Sequence, residues 1–158
     1  MAEPGTTAAS LSPAIAERRA VMALAAAASA GELAAVEALA GDRVTDLRVP
    51  EIGLVMVRGR IGGAGRPFNL GEATMTRAAV RLATGETGLG HVLGRDRTRA
   101  RRAALLDALW ARAELRPRLE VEVLAPIRRR LADTRRREAE KAAATRVDFF
   151  TLVRGDDR

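Results

Sequence analysis

The chain has 158 residues, enough for one domain; 47% are hydrophobic, and 27 basic against 20 acidic residues leave a formal charge of +7. The lack of cysteine excludes disulfides, thiolate chemistry and Cys-ligated metal, and the single histidine, His91, excludes a multi-histidine metal site within one chain. No stretch approaches the roughly 20 apolar residues of a membrane-spanning helix.

The aromatic residues are Phe68, Trp110, Phe149 and Phe150, so the core must be aliphatic and rich in alanine. Apolar burial is worth roughly 25 cal/mol per Å², and alanine offers little area, so such a fold leans on partners. Lys141 is the single lysine, and arginine carries the rest of the positive charge. The guanidinium fork matches phosphate and carboxylate oxygens. A GC-rich coding sequence accounts for the excess equally well.

In chain order, residues 1–11 are small and polar and read as a disordered leader. Ser12-Pro13 is a helix start, and a helix is expected from Pro13 to about Ala28. Within it, Arg18-Arg19 before an alanine run imitates a cleavable targeting signal, but the charges lie far from Met1 and an amphipathic helix fits better. Leu33, Val36 and Leu39 give a second short helix ending before Gly41. The period then shortens. Segments 43–49 and 52–61 read as two strands, the second covered on both faces. Gly62, Gly63 and Gly65 form a loop, 73–82 a further strand, Gly85 to Gly88 a turn, and 89–93 another strand. Residues 95–114 read as a helix buried along Leu105, Leu106, Leu109 and Trp110 and ended by Pro117. Leu119, Val121 and Val123 alternate with Glu120 and Glu122 as in a half-buried strand. A long, mostly polar helix follows from Pro126 to about Ala144, and 147–153 is an apolar tail. The fold expected is α+β: a single domain, residues 12–158, with a largely antiparallel four- or five-stranded sheet packed against several helices.

Little of this carries chemistry by itself. The loop Gly59-Arg60-Ile61-Gly62-Gly63-Ala64-Gly65-Arg66 lacks the Gly-Lys-Ser/Thr of a phosphate-binding loop and is read as a hairpin turn, with Arg58, Arg60 and Arg66 around it. His91 reads as a structural or surface residue rather than an acid–base catalyst. Glu51, Glu72, Asp96 and Asp148 have no partner identifiable from spacing. The arginine runs 95–102 and 128–137 interleave with acids in the second case and lack the aromatics of a nucleic-acid groove. An arginine-rich nucleic-acid-binding or scaffold protein is therefore the alternative reading, and nucleic acid is not the expected partner.

Taken together, the string Glu51-Ile-Gly-Leu-Val-Met-Val-Arg-Gly-Arg-Ile-Gly-Gly-Ala-Gly-Arg-Pro-Phe68 and its continuation through Arg77 and Arg81 to Leu82 resemble the PhnG family. So do Val92-Leu-Gly-Arg-Asp96, Leu105-Leu-Asp-Ala-Leu109, Ala125-Pro126 and the terminal Thr145-Arg-Val-Asp-Phe-Phe-Thr-Leu-Val-Arg-Gly155. The family often has an aromatic where His91 stands, which argues against an essential imidazole. The resemblance implies a subunit of the carbon–phosphorus lyase core complex, which couples a phosphonate to C1′ of ATP ribose with release of adenine. It implies partner subunits H, I and J, with L as accessory, a hetero-oligomer in the cytoplasm, and nucleosidase-like chemistry on subunit I. No catalytic residue and no metal or cofactor is expected of this chain alone; ATP is a substrate of the complex. Arg77, Arg81 and Arg95 are the candidates for ordering a phosphate-bearing ligand. Arg146, Asp148, Phe149 and Phe150, within a docking segment 145–155, are the candidates for holding a partner.

Overall fold

The computed structural model describes residues 12–62 and 65–145. Helix α1 (Pro13–Ala27) begins after Ser12, with Pro13 in the first turn where its missing N–H costs nothing. Val21, Ala25 and Ala28 are buried, so the alanine run that resembles a signal is a packing face. Ser29 and Glu32 then form a reciprocal capping box: the Ser29 N–H donates to Glu32 (2.8 Å) and the Glu32 N–H to the Ser29 hydroxyl (3.2 Å). Leu33 and Val36 are fully buried beside α2 (Ala35–Ala40), which stops at Gly41, whose φ of 71° no β-carbon tolerates well.

One antiparallel sheet follows, in the order β1 (Val44–Arg60), β2 (Pro67–Leu82), β3 (Thr87–Leu93). Among the described residues it has three strands rather than four or five, for two reasons. Segments 43–49 and 52–61 are one strand: β1 is an edge strand, and Pro50 falls where the register slips between Arg48 and Glu51, so its absent N–H breaks no ladder. The alternating run 119–123 is helical. Leu119 and Val123 are fully buried at helical spacing with Leu124 and Ile127, while Val121, the middle of the supposed apolar face, is 71% exposed. Here the period-2 pattern overlies a helical stripe, and the stripe finds the core.

Helix α3 (Arg97–Trp110) starts at Asp96, whose carboxylate accepts from the Arg99 N–H at 2.9 Å, and buries nine residues. It rests directly on β3. A β-carbon on Gly88 would lie 2.1 Å from the Ala104 carbonyl oxygen, and one on Gly90 2.0 Å from that of Ala100. Gly88 is thus a strand residue that admits the helix, not part of the turn. The chain then continues through a 3₁₀ turn (Ala113–Leu115), α4 (Arg116–Leu119), a π-helical turn (Glu120–Leu124) and α5 (Ala125–Ala144). Pro117 opens α4 instead of merely ending α3. Beyond Ile127, α5 buries no further side chain.

The core lies between α1, α2, α3, the start of the α4–α5 run and one face of the sheet, formed by Ala78, Val80, Leu82 and Val92. No described helix is long and apolar enough to cross a membrane.

Candidate functional site

The alternation that turns Thr76, Ala78, Val80 and Leu82 inward leaves Arg77 and Arg81 exposed on the opposite face of β2. Their register partners extend that face. Arg77 stands opposite Glu51 on β1 and His91 on β3, and Arg81 opposite Thr45 and Thr87. The Arg77 Nε donates to Glu51 Oε1 at 2.6 Å, and Arg48 pairs with the same oxygen. These two hydrogen bonds, Arg77's the larger, hold the Glu51 carboxyl below the usual carboxylate range. Two guanidinium groups share one carboxylate, so the row carries net positive charge before Arg81 is counted. Glu51 does have partners, which its sequence spacing hides because Arg77 comes from the next strand.

Arg95 does not join this row. It lies exposed between β3 and α3, past the strand end. Neither Arg81 nor Arg95 forms an ion pair among the described residues. The docking candidates Arg146, Asp148, Phe149 and Phe150, and nearly all of segment 145–155, lie outside the described residues, as does the leader.

Much of the remaining arginine is structural. Arg101 pairs with Asp46 (2.8 Å) and Arg102 with Glu37 (2.8 Å), while Arg99 donates to the Leu93 carbonyl (2.5 Å). Arg130 reaches back to Glu32 at 2.6 Å and to the Ala27 carbonyl at 2.9 Å. At the crowded start of α3, Arg99, Arg101 and Arg102 are therefore staples to β3, β1 and α2, while Arg95 and Arg97 lie exposed.

Sequence reading missed Asp107. It is 2% exposed and accepts from Arg18 Nε (2.7 Å), Arg18 Nη2 (2.6 Å) and the Leu89 backbone N–H (2.9 Å). One carboxylate thus ties α1, α3 and the outer edge of β3 together. Its signal was an acid inside the apolar stripe Leu105-Leu106-Asp107-Ala108-Leu109. Beside it, Ile15, Arg19, Met22, Leu89 and His91 line a shallow cavity of about 420 Å³.

The second surface is the outer part of the β1–β2 pair. β3 pairs only with Met75 to Arg81, so the pairs from Leu54↔Thr74 to Arg60↔Pro67 form a two-stranded ribbon, with the glycine-rich loop at its tip. The hairpin reading of that loop holds. Among the described residues the expected cover on both faces of 52–61 is not present: Leu54 is 64% and Met56 50% exposed.

These segments coincide with what comparison finds. The family model described as phosphonate metabolism protein PhnG matches residues 16–155. The chain belongs to the PhnG family. A relative from Rhizobium meliloti (strain 1021) is named alpha-D-ribose 1-methylphosphonate 5-triphosphate synthase subunit PhnG. It is 53% identical over 149 residues, which cover 90% of this chain and 92% of the relative. The family match spans the whole described fold from the first turn of α1 onward, together with the ribbon.

Proposed function

We propose that the chain is a subunit of a cytoplasmic synthase that joins an alkylphosphonate to C1′ of ATP ribose and releases adenine, in phosphonate catabolism through carbon–phosphorus lyase. The observation that carries this reading is the relative's 53% identity across nine-tenths of both chains, under a name that specifies that synthase. The partners proposed are subunits H, I and J, with L as accessory. Bond-making belongs to a partner, and this chain supplies positioning.

Displacement of adenine passes through an oxocarbenium-like state and needs ordered anions and compensated charge. Arg81, and Arg77 with its shared carboxylate, suit that role on the open sheet face; Arg95 is a separate candidate at the β3–α3 junction. The alternative division, in which the strand–glycine loop and the Phe149–Phe150 segment only dock the chain on subunit I, is favoured by the apolar ribbon. Substituting Arg77, Arg81 and Arg95 singly with alanine in the assembled complex separates the two. Lost adenine release with intact assembly assigns the arginine to ligand. Lost assembly assigns it to docking. An electrophoretic shift with random duplex at low and moderate salt tests the nucleic-acid alternative, which requires binding that falls steeply with salt.

A further inference from the structure

The β1–β2 ribbon has the composition of a buried element and the exposure of a surface one. Register and alternation place Ile52, Leu54 and Met56 on the face that continues the core side of the sheet, at 41%, 64% and 50% exposure. Val57, Phe68 and Leu70 occupy the other face, at 39%, 40% and 61%. The register slip after Val57 leaves Leu70 unpaired, and its side chain lies across Gly59, where a β-carbon would meet it at 2.4 Å. Each face therefore carries three exposed apolar side chains, those of one face standing among Arg58, Asn69, Glu72 and Thr74, and neither face is covered by a described element.

A two-stranded hairpin is at best marginal in water, so a ribbon of this length with bare leucines on both sides needs an external surface. Its dimensions suit one. Seven residues of β1, from Leu54 to Arg60, span about 23 Å, and two strands about 10 Å, so the two faces offer roughly 460 Å², more than half of the roughly 800 Å² per partner of a stable interface. The charge selects the occupant. Between positions 52 and 74 the ribbon carries Arg58, Arg60 and Arg66 against the single acid Glu72, and none of the three arginines is ion-paired among the described residues. Two copies of so basic a tip repel one another, which disfavours ribbon-on-ribbon pairing.

We infer that the ribbon inserts into an apolar slot on another synthase subunit, which covers both of its faces and presents carboxylates to the arginine tip. This rests on the subunit reading above and deepens it: the ribbon is clasped from both sides rather than laid flat by one face. The slot's chemistry, apolar walls with an acidic rim, is the property by which the partner is recognised.

The test is co-purification of the tagged full-length chain with its co-expressed synthase subunits, followed by titration of the variants. Leu54→Glu and Leu70→Glu each place a charge on one ribbon face, and Val121→Glu places one on an exposed apolar residue elsewhere. Association at least about tenfold weaker for both ribbon variants, with Val121→Glu unaffected and all three melting like the parent, is the expected result. The triple reversal of Arg58, Arg60 and Arg66 to Glu should weaken association and remove its salt sensitivity. Loss with only one ribbon variant overturns the two-faced clasp. Retention by both, or ribbon-mediated pairing of two copies that persists with the other subunits in excess, overturns the inference while leaving the subunit reading intact. Failure of the parent chain to co-purify with any synthase subunit overturns that reading itself.

Discussion

Replacing Gly90 with alanine tests how α3 is seated. The new β-carbon would stand 2.0 Å from the Ala100 carbonyl oxygen and 2.7 Å from the Ala104 nitrogen, both backbone atoms of the helix that cannot swing aside. Restoring a normal separation of about 3.5 Å requires the helix to retreat by roughly 1.5 Å. That retreat loosens the contacts of Ala100, Ala104 and Ala108, all fully buried, whose small side chains have no reach to refill the gap. Overpacking of a dense core costs about 1–3 kcal/mol, and a backbone clash this severe belongs at the upper end, about 3 kcal/mol. Gly88→Ala meets Ala104 and Ala108 in the same way and should cost as much. The double variant should cost clearly less than the sum, because a helix that has already backed off accommodates the second methyl group. Gly53→Ala, with nothing within 4 Å of its β-carbon, is the control and should be neutral. Urea denaturation followed by circular dichroism measures all four through the midpoint at constant m-value. A Gly90→Ala variant within about 0.5 kcal/mol of the parent, or strict additivity of the pair, would refute the proposed seating.

The Asp107 junction predicts an asymmetry. Arg18→Ala strands a buried carboxylate and should cost about 3 kcal/mol. Asp107→Ala frees Arg18, which is 55% exposed, and strands chiefly the Leu89 N–H, so about 1–2 kcal/mol is expected. Thermal melts that show the reverse order contradict the arrangement. Acid stability should depend on Glu32, held below its ordinary 4.5 mainly by Arg130 and also by Ser29, and on Glu37, held low mainly by Arg102. Because their folded values are depressed, the stability they contribute is complete above about pH 4.5 and is lost as pH falls through the lower folded values. Glu32→Gln with Glu37→Gln should give a shallower acid limb in denaturation measured from pH 6 to 3, and an unchanged limb sinks the assignment.

Helices were legible where their caps and stripes agreed. Ser12-Pro13, Gly41 and Ala125-Pro126 mark boundaries within a residue or two of those observed; Pro13 fits a first helical turn, and Gly41 supplies the positive φ that ends α2. Strands were legible as apolar runs, and their number was not. Whether Pro50 splits a strand depends on whether a neighbour wants its N–H, and that is a property of the sheet edge. The run 119–123 fits period 2 as well as it fits helical spacing, and only the position of the core decides that Val121 faces out. At the candidate site, Arg77 and Arg81 on one face followed from alternation alone. The Glu51–Arg48–Arg77 cluster and the Arg18–Asp107 junction did not, because their members are separated by up to 89 residues and meet only across elements. The apolar ribbon was visible in composition but was read as buried, since a sequence records the wish to be covered and not what supplies the cover.

Adenine release from ATP with an alkylphosphonate, followed by chromatography, tests the central claim most directly. Three samples suffice: the purified chain, the remaining synthase subunits without it, and the two combined. The account predicts release only in the combined sample. Turnover by the isolated chain, or full-rate turnover by the other subunits in its absence, would contradict it.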